Sequence, residues 1–162
     1  MPTTKTFVTH LECSVTGDRY AADELHNLSA AGKPLLVRYD LDALARSVNK
    51  QMLQSRPPEL WRYREFLPIR QAHDIVRLGE VMTPILASPY LQRRLGMSSV
   101  MIKDEGRLPT GSFKARGVAV AVSMAKALGV TRMAMPTNGN AGAALAAYGS
   151  RAGIESYIFC PD

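Results

Sequence analysis

The stretch that decides the fold runs from Ser99 to Cys160, SVMIKDEGRLPTGSFKARGVAVAVSMAKALGVTRMAMPTNGNAGAALAAYGSRAGIESYIFC, and it alternates short apolar runs with longer helical ones. Ser99–Lys103 reads as a short strand. Phe113–Leu128 reads as a helix, with Ser112 in the N-cap position and Gly129 just past its end. Thr131–Met135 is the next strand, Ala141–Ala152 a second helix closed by Gly153, and Ser156–Cys160 a third strand. Strand, helix, strand, helix, strand with short links predicts an α/β fold with a parallel sheet and crossover helices. Parallel strands are usually covered on both faces, and three strands with two helices are too few for that, so the stretch reads as the front of a larger fold.

Working outward from this unit, the texture changes twice. Leu41, Leu44, Ala45, Val48, Met52 and Leu53 recur at helical spacing, and Pro57-Pro58 stops that helix. Trp61, Tyr63, Phe66 and Leu67 then form an aromatic cluster that reads as packing onto the next segment. Residues 1–40 are turn-rich, punctuated by Gly17-Asp18 and Gly32-Lys33-Pro34, and Pro34–Tyr39 reads as a strand. The chain therefore divides into a small irregular lead, 1–60, and an α/β part, 61–162. There is no internal repeat and no low-complexity linker.

Composition bounds the function classes. The 162 residues are 46% hydrophobic and 21% charged, the balance of an ordinary globular domain. No apolar run approaches the roughly 18 residues of a membrane span, and the threonine-rich start Met1–His10 lacks the core of a secretory signal. A soluble, cytoplasmic protein without a membrane partner is expected. Cys13 and Cys160 belong to no Cys-x-x-Cys pair, which argues against a disulfide scaffold or a zinc site. Cys160, between Phe159 and Pro161, reads as a small buried hydrophobe at a strand end. The net charge of +6 is dispersed: Arg62, Arg64, Arg70 and Arg77 alternate with Glu59, Glu65, Asp74 and Glu80. That pattern predicts a solvated mixed surface, not a nucleic-acid partner.

Two segments can carry chemistry. The first is Lys103-Asp104-Glu105-Gly106-Arg107-Leu108-Pro109-Thr110-Gly111-Ser112-Phe113-Lys114-Ala115-Arg116-Gly117. A lysine in the first turn of a helix meets the positive end of the helix dipole, which favours the neutral amine. The neutral amine is the form that attacks an aldehyde in Schiff-base chemistry. Spacing alone favours an ordinary exposed surface lysine. The second segment is Pro136-Thr137-Asn138-Gly139-Asn140-Ala141-Gly142, a strand-to-helix turn where free backbone N–H groups form an anion pocket and glycines admit a ligand close to the main chain. A plain turn with an asparagine cap explains it as well. Both segments follow strands, and on one parallel sheet both would reach its C-terminal edge, where ligands of open α/β folds bind.

Pro109–Gly117, followed by Thr137–Tyr148, closely resembles the threonine synthases, pyridoxal-phosphate enzymes of fold type II with a tryptophan-synthase-beta-like architecture. Leu78-Gly79-Glu80 with Thr83-Pro84 is similar to the lead-in of the family's catalytic domain, so the resemblance spans about residues 60–162. It implies that Lys114 holds pyridoxal phosphate as an internal aldimine and then shuttles protons. Asn140 matches the asparagine that hydrogen-bonds the cofactor's ring hydroxyl. Thr137, Asn138 and Gly139 match the loop that receives the substrate α-carboxylate. Phe113 either packs beside the cofactor or is an ordinary core phenylalanine. The implied reaction is a lyase conversion of O-phosphohomoserine and water into threonine and phosphate, part of threonine biosynthesis. Lys103 and Arg116 are candidate contacts for the substrate phosphate, with a structural salt bridge the competing reading of each. A homodimer is implied for the full-length protein.

The chain departs from the family pattern in three ways. Leu108 stands where the family commonly has asparagine, and Ala115 where it has aspartate; both bear on substrate choice. Leu11–Gly17 and Leu28–Gly32 resemble the zinc-ribbon-like lead of some relatives, but only Cys13 remains of four expected ligands, so no metal is expected there. Family members also continue well past position 162 with a glycine-rich loop for the cofactor phosphate and a hydroxyl partner for the pyridine nitrogen. A chain ending at Asp162 is accordingly expected to hold the cofactor poorly and to be inactive in isolation. The rival readings are a threonine dehydratase, a cysteate-synthase-like enzyme, or a noncatalytic truncated paralogue that pairs through an exposed sheet edge.

Overall fold

The structure is a computed structural model that describes residues 5–161. Val8–Cys13 (β1) lies between Arg19–Tyr20 (β2) and Leu35–Tyr39 (β3) in an antiparallel sheet, with a register break between Val8 and His10. This sheet is tied to the aromatic segment by Thr6 Oγ1 donating to the Leu67 carbonyl at 2.6 Å and the Tyr39 hydroxyl donating to the Phe66 carbonyl at 2.9 Å. Where periodicity predicts one helix over residues 41–53, there are two: Leu41–Ser47 (α1) and Lys50–Gln54 (α2). The break has a local cause. Val48 is extended, and Asn49 Oδ1 accepts the Met52 N–H at 2.8 Å, starting a new helix. Leu44 is the one buried residue of α1, too little apolar surface to hold a longer helix to the core.

A 3-10 helix over Leu60–Phe66 follows, with Trp61 driven into the main core and Tyr63 and Phe66 half exposed. The charges around it do not all form the solvated surface expected from their alternation. Arg62, Glu65 and Glu80 are buried, because each has a partner: Arg62 Nε donates to the Leu53 carbonyl, Glu65 takes both guanidinium nitrogens of Arg56 at 2.7 Å, and Glu80 takes the Tyr148 hydroxyl. Arg70 and Arg77 are exposed as expected.

The α/β half begins with Ile85–Ala87 (β4), Pro89–Leu95 (α3) and Met101–Lys103 (β5). Lys114–Ala127 (α4) leads to Arg132–Pro136 (β6), and Asn140–Ala152 (α5) connects that strand to Glu155–Phe159 (β7). Strands β6 and β7 pair in parallel across α5, as expected. The third strand does not join them. Strand β5 pairs antiparallel with β4 in a separate two-stranded sheet, and bonds from Ser88 N–H to the Val100 carbonyl and from Asp104 N–H to the Pro84 carbonyl extend that ladder at both ends. The short α3 returns the chain alongside β4, so the backbone groups of β5 are satisfied there.

Helices α4 and α5 pack against each other through small, fully buried residues, Ala115 and Ala119 on one and Ala144 on the other, with Val122, Leu145 and Tyr148 filling around them. At Gly142 an added Cβ would sit 2.6 Å from both Ile158 Cγ2 and Thr137 Cγ2, so the start of α5 lies hard against β7 and the preceding turn. Ser112 does not cap α4. Phe113 holds the cap position, and Ala115 and Arg116 N–H bond the carbonyls of Ser112 and Phe113 at 3.2 Å, a tightened first turn that leaves no donor for the serine hydroxyl. Cys160 is exposed, not buried, because it follows the uncovered strand β7, whose Tyr157, Ile158 and Phe159 are themselves exposed. Among the described residues no helix is long and apolar enough to cross a membrane.

Candidate active site

The turn after β6 is shaped by three bonds. Thr137 N–H donates to the Phe159 carbonyl at 2.9 Å, and Thr137 Oγ1 accepts from Gly139 N–H at 3.1 Å and from Gly142 N–H at 3.4 Å. Gly139 has φ +140° and ψ −77°, a conformation that side chains rarely adopt. It also occupies the N-cap of α5 without a side-chain cap, so the first N–H groups of the helix have no acceptor within the helix. Lys114 starts α4 and lines the same cavity, about 420 Å³ in volume, as Thr137, Asn138, Gly139 and Asn140. Two segments more than twenty residues apart in the chain thus meet. Next to this cavity, a shallower one of about 480 Å³ shares Thr137 and Asn138 and adds Phe159 and Cys160.

What these groups lack is as informative as where they stand. The Lys114 amine makes no ion pair or hydrogen bond among the described residues; its one neighbour of note is the exposed Phe113 ring, 4.9 Å from nitrogen to centroid. Phe113 is therefore no core phenylalanine. The Asn138 and Asn140 amides are exposed and uncommitted. In the loop before α4, Thr110 Oγ1 and Ser112 Oγ are buried without a partner. An unpaired amine, free amides and the first N–H groups of α5 that Thr137 leaves without a partner form a donor set suited to an aldehyde that carries hydroxyl and anionic groups.

Lys103 and Arg116 are placed differently. Lys103 Nζ donates to the Thr83 carbonyl at 2.9 Å and to Thr83 Oγ1 at 2.6 Å. Arg116 grips Glu105 with Nε at 2.5 Å and Nη2 at 2.9 Å. The Arg116 guanidinium holds the Glu105 carboxyl far below the usual range, to about 2; the Thr83 hydroxyl and the Lys103 charge act in the same direction and partial burial opposes them. Of their two readings, the salt bridge is the one seen, and neither residue lines the cavity. Sequence reasoning assigned no site role to Glu80, Thr83, Glu105, Tyr148 or Thr110, and gave Ser112 only the N-cap of a helix. All six lay within quoted motifs, but nothing in one dimension shows which of them touch. Cys13 is buried with its thiol donating to Ser29 Oγ at 3.2 Å, and among the described residues no group of three or more His, Cys, Asp or Glu is arranged to hold a metal.

An unpaired lysine amine beside free amides at a strand-to-helix edge is an arrangement open to an aldehyde or ketone ligand. The chain belongs to the pyridoxal-phosphate dependent enzyme family, whose model matches residues 76–162. It is 36% identical over 150 residues to the threonine synthase of Methanocaldococcus jannaschii and 35% identical over 153 residues to that of Methanosarcina acetivorans, covering 93% and 94% of this chain. It is 40% identical over 101 residues to the threonine synthase of a Synechocystis strain, covering 62% of this chain and 26% of that protein. The chain spans about 37% of the length of the two archaeal relatives.

Proposed function

We propose that residues 61–162 form the first part of the catalytic domain of a threonine-synthase-like lyase, the part that contributes the cofactor lysine. The observation that carries this is the cavity shared by the uncommitted Lys114 amine and the Thr137–Asn140 turn. Lys114 would hold pyridoxal phosphate through its amine, with the Asn140 amide bonding the ring hydroxyl and the Phe113 ring beside it. When bound, this cofactor supplies an electron sink next to the substrate's α-carbon. The Lys114 amine would take a proton from the substrate and return it, and no ion pair or hydrogen bond among the described residues ties it down elsewhere. Thr137, Asn138 and Gly139 receive the substrate carboxylate, supported by the open N-terminus of α5. The substrate would be O-phosphohomoserine: phosphate leaves from its γ-carbon and water adds at its β-carbon to give threonine.

Two measurements test the reading. Incubating the full-length protein with pyridoxal phosphate and reducing with borohydride should leave a stable mass adduct on the Lys114 peptide, lost in Lys114→Ala. An adduct on another lysine, or none, overturns it. Phosphate release from O-phosphohomoserine without ammonia or keto acid identifies the synthase reaction; ammonia and keto acid would point to a dehydratase.

A further inference from the structure

Two short motifs, Leu78-Gly79-Glu80 and Thr83-Pro84, lie outside the cavity and play no part in the chemistry above. Their polar side chains nevertheless reach both helices that carry it. Glu80 and Tyr148 are completely buried, and Glu80 Oε1 accepts the Leu78 N–H at 2.8 Å and the Tyr148 hydroxyl at 2.5 Å. Burial, with the Glu80 carboxyl, pushes the Tyr148 hydroxyl far above its usual range, so it stays a donor. Tyr148 stands two turns along α5, the helix that begins at Asn140. Three residues after Glu80, the nearly buried Thr83 donates to Glu105 Oε1 at 2.5 Å, and Glu105 takes the bidentate grip of Arg116. Arg116 is in the first turn of α4, two positions past Lys114.

We propose that residues 80–83 are a polar bracket that ties the first turn of α4 to α5 at Tyr148, two turns along that helix, and so sets the spacing of Lys114 from Asn140. Glu80, Thr83, Glu105, Arg116 and Tyr148 are its positioning residues. The inference deepens the functional reading above and takes its meaning from it, but the spacing is a property of the chain alone. The apolar contact between the helices is built on alanines, which present shallow ridges and let one helix slide on the other at small cost. Hydrogen bonds to charged partners are steep in distance and angle, so they fix register where alanine faces do not. A buried carboxylate is also a costly way to obtain stability alone, since apolar residues of similar volume serve as well or better. Glu80 bears that cost with Oε2 left unpartnered. Setting register is the best-attested use of such groups.

The test uses the protein with Cys160→Ser, Gly117→Cys and Ala143→Cys, so that nitroxide labels sit on exposed positions of α4 and α5 while Cys13 stays buried. Label-to-label distances are compared in this parent, in Tyr148→Phe, which cuts the α5 arm, and in Arg116→Lys, which keeps the charge but loses the bidentate grip. Capture of pyridoxal phosphate on Lys114 is titrated on the same samples. Each variant should broaden or shift the distance distribution and weaken capture roughly tenfold. Distributions that superpose on the parent in both variants overturn the bracket, whatever the melting temperatures do. Altered distances with capture within about twofold of the parent overturn its assignment to the Lys114–Asn140 spacing. If Tyr148→Phe does not fold, Arg116→Lys carries the comparison. If the parent itself captures no cofactor on Lys114, the functional reading fails while the distances still decide the bracket.

Discussion

Two polar regions lie on the same pair of helices and are built on opposite principles. In the bracket each charged side chain has a partner, Lys103 in Thr83, Arg116 in Glu105, and Glu80 in Tyr148 and Leu78, with only Glu80 Oε2 left over among the described residues. In the cavity almost nothing does: the Lys114 amine and the Asn138 and Asn140 amides have no partner among the described residues, and neither do the buried Thr110 and Ser112 hydroxyls of the loop that leads to Lys114. Satisfied polar networks rigidify a structure, while unsatisfied ones are places where something else is to be bound. The difference teaches that residue type alone does not separate the two roles. Lys103 and Lys114 are both lysines of one loop-bounded segment, and only the commitments of their amines tell them apart.

The comparison breaks most visibly at Lys114. Lys114→Ala should abolish covalent capture of pyridoxal phosphate, read by mass after borohydride reduction, yet change stability by no more than about 0.5 kcal/mol in a denaturant melt, because the exposed amine holds nothing in place. On the bracket side, Arg116→Gln should cost about 1.5–3 kcal/mol, since it strips a charged partner from Glu105. It should also flatten the acid limb. Glu105 is depressed to about 2 in the fold, so between the unfolded carboxylate range and that value the unfolded chain binds the extra proton. The stability it contributes is fully present above about pH 5 and lost as the pH falls toward 2, and Arg116→Gln should remove most of that slope. Equal slopes in the two proteins would show that the grip contributes nothing in solution.

How much of this was legible in the sequence follows from the range of each interaction. The β6–α5–β7 unit was readable because its signals are local: helical spacing within α5, Gly153 at its end, and apolar strands on either side. The pairing of β5 was not, because whether Met101–Lys103 lies beside β4 or beside β6 depends on the path of the short α3, and the strand itself looks the same either way. Lys114 and the Thr137–Asn140 turn were found through motif and helix-terminus arguments, both local. The bracket was not found, since its bonds join residues 11 to 68 positions apart. Arg62, Glu65 and Glu80 were read as surface for the same reason: a charge's burial is decided by a distant partner.

Gly142→Ala sharpens the comparison at an intermediate scale. Its new Cβ would press on Ile158 and Thr137, so despite the better helix propensity of alanine the substitution should cost about 1–2 kcal/mol and disturb the cavity wall together with the helix. A neutral result would mean that α5 shifts freely at its start, against the close approach seen there.

The smallest effect is the most discriminating. If Ser112 capped α4, as its position in the sequence suggests, Ser112→Ala would cost about 0.5–2 kcal/mol. In the structure its hydroxyl is buried and bonds to nothing, while the first turn of α4 satisfies its own N–H groups through the carbonyls of Ser112 and Phe113. Removing an unsatisfied buried hydroxyl is neutral or slightly stabilising, so the melt of Ser112→Ala should stay within about 0.5 kcal/mol of the parent. Titrated capture of pyridoxal phosphate should instead weaken by a few-fold, because an unpartnered hydroxyl two residues before Lys114 is free for a group bound there. A loss of stability with unchanged capture would move Ser112 from the open region to the committed one.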